Sequence, residues 1–243
     1  MEQALFLVLL LVAEVLGTVG GFGSSMLVMP LATYFLPFDE ALGLTALFHV
    51  FSNGAKILLF RQGLDKQVLL YMGIPAVLGV LLGARLTAFV DGRSMTLVLG
   101  LALLLLSAFL YVLPHVRIAP IRRNAFVGGS VSGLVAGLVG TGGAVRGATL
   151  AAFGLEKHAF IATSAWIDMG VDLSRTVVYW EQGYVQRELL LLLPALILIS
   201  WLGSYLGKRI LAHVPQELFQ RIVLGLVFAI GLFTFVHALI GRS

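Results

Sequence analysis

Apolar residues run on consecutive positions through ten stretches: about 3–17, 24–36, 41–60, 67–89, 95–113, 124–139, 143–154, 158–179, 187–210 and 218–240. Strands of a transmembrane barrel would alternate apolar and polar residues, so these runs predict helices. A helix needs about 20 residues to cross a roughly 30 Å hydrocarbon core. Runs 24–36 and 143–154 are too short for that. Each follows a glycine-rich break, Gly20-Gly21-Phe22-Gly23 in one case and Gly140-Thr141-Gly142-Gly143 in the other. Both are expected to be halves of broken or re-entrant helices. Interrupted backbone at membrane depth is tolerated only where protein buries it or where it lines a cavity.

The polar positions carry a second pattern. The helix after the first break holds Thr45, His49, Asn53 and Lys56; the helix after the second holds Ser164, Asp168, Asp172 and Arg175. Within each set the spacing is i, i+4, i+8, i+11, which keeps all four on one helix face. The sets superpose under a shift of 119 residues and the breaks under a shift of 120. Gln62-Gly63 recurs as Gln182-Gly183, and Pro75-Ala76 as Pro194-Ala195. Gly79, Gly83 and Arg85 recur as Gly203, Gly207 and Arg209; Val98-Leu99-Gly100-Leu101 recurs as Val223-Leu224-Gly225-Leu226. The common order predicts a duplication: a first repeat over 1–113, a basic linker over 114–123 and a second repeat over 124–243. Each repeat would have one broken helix and three full ones. Facing polar stripes beside broken helices are how many secondary transporters build a mid-membrane site. The Gly-xxx-Gly pairs read as close helix packing in lipid.

Composition places the core in the bilayer. The chain is 59% hydrophobic and 12% charged, which no soluble domain of 243 residues matches. The fold class expected is an all-α polytopic membrane protein with two four-helix repeats, each with a Gly-broken helix. Cysteine is absent, which excludes disulfides and thiolate metal sites. Glu2 precedes the first apolar run and no Lys or Arg does, unlike a signal peptide, so that run is expected to be the first membrane helix. No soluble domain is expected at either end.

The formal charge of +4 sits mostly in loops, which suits membrane orientation and not nucleic-acid binding. Arg117, Arg122 and Arg123 make the linker the most basic loop, so it is placed in the cytoplasm. If each broken helix returns to its own side, the repeats are inverted, with eight loop Lys and Arg inside and four outside. If each crosses once, the repeats are parallel and the counts are seven and five. The inverted arrangement, with both termini outside, is the expectation.

Ionisable residues at membrane depth cost about 2.5–3.5 kcal/mol each on insertion scales, so each calls for a reason. They are Glu14, His49, Lys56, Arg146, Asp168, Asp172 and Arg175. Lys56 and Arg175 could snorkel; the others could form an interhelical network. Arg146 follows Gly142 and Gly143 in the first turn of a half-helix. Free N–H groups, the positive end of the helix dipole and a guanidinium fork together suit a small oxyanion. A salt bridge from Arg146 to Asp168, Asp172 or Glu14 is the competing reading. The substrate-binding candidates are Gly21, Gly23, Ser24, Ser25, Asn53, Lys56, Thr141, Gly142, Gly143, Arg146 and Arg175. His49, Asp168 and Asp172 are the candidates for proton coupling. With both aspartates ionised and Glu14 and His49 neutral, Lys56, Arg146 and Arg175 leave the site at +1.

At the two glycine breaks, at Pro30 and in the half-to-half duplication, the sequence resembles the sulfite exporter TauE/SafE family of membrane transporters. The resemblance covers nearly the whole chain. It implies export of sulfite, sulfoacetate or related organic anions across a bacterial-type inner membrane. One departure separates the half-sites: the first break continues Gly23-Ser24-Ser25, where family members often continue with glycine. The partners expected are a small anion and the lipid bilayer, without nucleic acid; assembly into a homo-oligomer stays open. No cofactor, metal or catalytic residue is expected. An anion channel, and a cation or metal transporter using Asp168 and Asp172, are the alternatives. A membrane enzyme lacks a nucleophile–base signature.

Overall fold

The computed structural model describes residues 2–20, 23–112, 119–213 and 215–240. Gly21, the 114–118 part of the linker and the carboxy terminus lie outside them. Among the described residues every regular element is helical: α1 (Glu2–Gly20), α2 (Ser25–Phe35), α3 (Phe38–Leu59), α4 (Lys66–Leu86), α5 (Gly92–Val112), α6 (Arg122–Val139), α7 (Gly143–Ala152), α8 (Lys157–Glu181), α9 (Arg187–Leu191), α10 (Leu193–Leu211) and α11 (Gln216–Ile240). The ends fall close to the edges of the apolar runs. One run differs: 187–210 is interrupted at Leu192. Pro194 at the start of α10 lacks the N–H that a continuous helix would use there.

Both short helices fold back on the helix before them. A Cβ on Gly17 would lie 2.2 Å from Ser24 Cα, and the rings of Phe6 and Phe35 are 5.2 Å apart. The end of α2 therefore returns to the start of α1. In the same way, a Cβ on Gly142 would lie 2.1 Å from Ser132 O, and one on Gly128 would lie 2.6 Å from Thr149 Cγ2. The breaks are thus the tips of two helical hairpins, α1–α2 and α6–α7. Gly140 ends α6 at φ +75°, a left-handed turn that a side chain would strain.

The hairpins pack across the chain. α6 lies against α4 and α1 against α10. A Cβ on Gly133 would sit 2.0 Å from Ala76 O, and one on Gly137 would sit 2.4 Å from Val80 O, so α4 and α6 touch backbone to backbone. Gly79 and Gly83 complete that contact; Gly203 and Gly207 lie against Glu14 and Thr18 of α1. α3 and α8 run antiparallel at the centre: Gly43 meets Tyr184, while Gly63 meets Ala159.

The polarity is inside-out relative to a soluble protein. Leu70, Ile74, Leu78 and Leu82 form an exposed apolar stripe one turn apart on α4, whereas Glu14, Lys56, Arg146, Asp172 and Arg175 are buried. Two helical stretches among the described residues, Phe38–Leu59 and Lys66–Phe89, are long and apolar enough to cross a membrane by themselves. α8 is 25 residues long but carries Asp168, Asp172 and Arg175. Polar caps fall between the long helices. Asp65 accepts from the backbone N–H of Gln67 and Val68 at the start of α4. Ser94 donates to Asp91 before α5 and holds that carboxyl below its usual range.

The α4–α6 contact generates a prediction. Gly133→Val should lower stability by about 1–3 kcal/mol, the usual cost of overpacking, while Gly225→Ala, with open space around its Cα, should not. Thermal unfolding in detergent reads the difference.

Candidate functional site

The two hairpin tips meet at the centre of the molecule. Thr141 Oγ1 is 3.5 Å from Ser25 Oγ, and a Cβ on Gly23 would lie 3.7 Å from Arg146 Nη2. Each tip opens a half-helix whose first N–H groups have no partner within the helix. In α7 the earliest helical bond runs from Arg146 N to Gly142 O; in α2 the bonds begin with Leu27 and Val28 on Ser24 O. The stripes of α3 and α8 close the other side. A tight cavity results, lined by Gly23, Ser25, His49, Asn53, Lys56, Gly142, Gly143, Arg146, Asp168, Asp172 and Arg175, with Ala136, Gly140 and Val171.

Most of the candidate residues therefore converge on one cavity. Thr141 and Ser24 are buried behind it, and Gly21 lies outside the described residues. Ser24 is held elsewhere: its Oγ lies 2.5 Å from Glu14 Oε2 and 2.9 Å from His49 Nε2. His49 Nδ1 lies 2.6 Å from Thr45 O.

Three buried ion pairs organise the charges. Arg146 pairs with Asp168 and donates from Nε to Ser164 Oγ at 3.0 Å. Arg175 Nε lies 2.7 Å from Asp172 Oδ1. Lys56 Nζ lies 2.9 Å from Glu14 Oε1 and donates to Ser52 Oγ at 2.7 Å. Neither Lys56 nor Arg175 snorkels; both are buried. Arg175 also donates to Gly140 O at 2.9 Å, and Tyr179 Oη to Gly137 O at 2.6 Å. These two side chains satisfy the carbonyl end of α6, where cations are favoured. Asn53 Nδ2 donates to Asp172 Oδ2 at 2.6 Å.

Glu14 is the residue that stripe patterns did not bring into the site. It is fully buried. Its Oε1 accepts from Thr18, Ser52 and Ser204 as well as from Lys56. Gly203 provides the space, since a Cβ there would lie 2.6 Å from Glu14 Cγ. A lone acid in an apolar helix was the available signal; the partners come from α3 and α10, which no single periodicity links. Glu14 paired with Lys56 also changes the charge count. Three cations meet three carboxylates, so the site sums to zero with His49 neutral, not to +1.

An apolar exterior, a charged interior and half-helices starting at a central cavity fit a polytopic membrane protein. The comparison of families agrees. The sulfite exporter TauE/SafE family model matches residues 5–234, and the chain belongs to that family of membrane transporters. No curated protein and no solved structure matches the chain.

The pairs make a stability prediction. Removing one member of a buried pair strands the other charge, at a cost of about 3–5 kcal/mol. Asp172→Asn should therefore destabilise strongly, and adding Arg175→Gln should recover part of the loss. Coupling between the two changes, read from a double-mutant cycle of unfolding in detergent, checks this.

Proposed function

We propose that this protein is a secondary transporter that exports a small sulfur-containing or organic anion, such as sulfite or a sulfonate, across a bacterial inner membrane. The observation that carries the reading is Arg146 in the first turn of α7, lining the cavity where both hairpin tips meet. Unpaired N–H groups and the guanidinium supply fixed donors for an oxyanion. The family description adds sulfite as the reference substrate. Asp168 holds Arg146 in the absence of substrate, and the incoming anion competes with that carboxylate. Both Asp168 and Asp172 already face guanidinium groups, which argues against a cation or metal as cargo.

A proton accompanies the anion in this reading. The cavity is neutral with three pairs formed, so a bound monoanion leaves one uncompensated negative charge. In a low-dielectric interior that charge favours protonation of a neighbouring group. His49, Asp168 and Asp172 are the imidazole and carboxyl groups on the cavity wall that could take up the proton.

The arrangement we infer is a pair of inverted repeats, 1–113 and 124–243, joined by a cytoplasmic linker. Three features support it. Each hairpin returns to its starting side, which leaves three crossings per half. α3 and α8, related by the 119-residue shift, run antiparallel. Asn53 and Asp172, matched under that same shift, bond to one another, as residues on a twofold axis in the membrane plane would.

Two tests follow. Thermal stabilisation of the purified protein by sulfite and alkyl sulfonates measures binding, since a ligand of the folded state raises its stability. Arg146→Lys should weaken that binding at least about tenfold, roughly 1.4 kcal/mol, because a point charge does not replace the fork; wild-type affinity in Arg146→Ala rejects the site. For topology, Gln62→Cys, Glu156→Cys and Arg122→Cys should label from the cytoplasm and Glu181→Cys from outside. Labelling of Gln62→Cys and Glu156→Cys from opposite sides would indicate parallel repeats.

A further inference from the structure

The environment of Glu14 contains more than an ion pair. Oε1 receives every charged and hydroxyl contact except one, from Thr18, Ser52, Ser204 and Lys56. Among the described residues, Oε2 faces only the Ser24 hydroxyl, 2.5 Å away. That hydroxyl in turn lies 2.9 Å from His49 Nε2. The far ring nitrogen, Nδ1, lies 2.6 Å from the backbone carbonyl of Thr45. A carbonyl only accepts, so Nδ1 carries a proton.

This fixes the options at Nε2. A serine hydroxyl has one proton to donate. If Ser24 donates to the Glu14 carboxylate, its oxygen must accept from Nε2–H, and His49 is imidazolium. If Ser24 donates to a bare Nε2, its oxygen must accept from Glu14, and Oε2 carries the proton. In either state the three groups hold one proton more than a carboxylate, a hydroxyl and a neutral imidazole.

We propose that Glu14, Ser24 and His49 form a proton-binding site that delivers positive charge to the anion cavity. The proton on Nε2 passes to Ser24 Oγ as the Ser24 proton passes to Glu14 Oε2, and the reverse step restores the imidazolium. Glu14 is sealed behind the cavity, while His49 lines it. The transfer therefore moves one unit of charge between a closed compartment and the cavity wall without moving a side chain. The charged groups around His49 are Lys56 on its own helix, Asp168, Asp172 and Arg175 from α8, and Arg146 from α7. These cancel when Glu14 is ionised, so the proton on this chain is the charge that matches a monoanion. The inference rests on the anion reading for the purpose of the proton, but not for its location.

The location is tested without any anion. The full chain, labelled with ¹⁵N-histidine in lipid nanodiscs, is titrated by NMR, and the His49 signals are identified by their loss in His49→Gln. Nδ1 should stay protonated throughout, and Nε2 should carry a proton in the wild type. Ser24→Ala cuts the chain and keeps both end groups; Glu14→Gln removes the acceptor. Both should lower the protonated fraction of Nε2 at least tenfold at a given pH. A bare Nδ1, or the same Nε2 titration in the wild type and Ser24→Ala, overturns the proposal. Because Glu14→Gln strands Lys56 and can fail to fold, Ser24→Ala is decisive alone. The link to transport is read by calorimetry with ethanesulfonate, which does not titrate, in buffers of different ionisation enthalpy. At a pH where the NMR titration shows this chain of groups already protonated, sulfonate binding should take up no proton. Above that pH, uptake should approach one proton in the wild type and stay at none in Ser24→Ala; equal uptake in both at the higher pH places the coupled proton elsewhere and overturns the proposal. If the wild type binds neither ethanesulfonate nor sulfite, the anion reading fails and the NMR titration still decides the relay.

Discussion

The structure depends on the two points where a helix stops at the centre of the molecule. Every backbone N–H and C=O there must find a partner within the protein, because lipid offers none. A left-handed glycine at 140 ends α6, and Arg175 and Tyr179 reach across from α8 to its last carbonyls. On the other side Ser24 O takes the first helical bonds of α2. These repairs need long polar side chains in the buried interior. The buried cations then need carboxylates, and the carboxylates need hydroxyls. The polar interior is in this sense a consequence of the broken backbone.

Neutrality is the second constraint. Three carboxylates answer three cations within one cluster, so the pairs themselves add no net charge to a low-dielectric interior. The pairs differ in accessibility. Asp172 and Arg175 are held by Asn53 and by the end of α6, and Glu14 and Lys56 by a ring of hydroxyls. The side chain of Asp168 is 15% exposed, more than any other member of the three pairs. Of the three pairs, the one at Arg146 therefore has the carboxylate closest to solvent.

Much of this was legible in the chain. The glycine breaks and the 119-residue shift located the hairpin tips and both stripes, because helical periodicity projects directly into space. The runs also marked the helix ends to within a few residues. The direction of the short helices was not legible. Charge counts separated the two arrangements by one residue and said nothing of the path of α2, whereas Phe6 against Phe35 shows α2 returning along α1. Glu14 was visible as costly and invisible as a hub, since its ligands Ser52 and Ser204 lie 38 and 190 residues away. Arg175 fitted a substrate ligand by pattern, yet much of its donor capacity goes to Asp172 and to the end of α6. The break at Leu192 needed the position of Pro194 within its turn; Pro75, the matched residue, lies inside a continuous α4.

The two half-sites are unequal in a way that bears on mechanism. At the second tip a guanidinium stands in the first turn of the half-helix, close to the cavity. At the first tip that role falls to Ser24 and Ser25, and the charge is displaced to Glu14 and Lys56 behind them. Glycine at the Ser24 position would leave Glu14 Oε2 and His49 Nε2 without the hydroxyl that joins them. Ser24 therefore links a sealed carboxylate to a histidine on the cavity wall. One tip carries a guanidinium and the other a hydroxyl that joins an acid to an imidazole, and the two meet through Thr141 and Ser25.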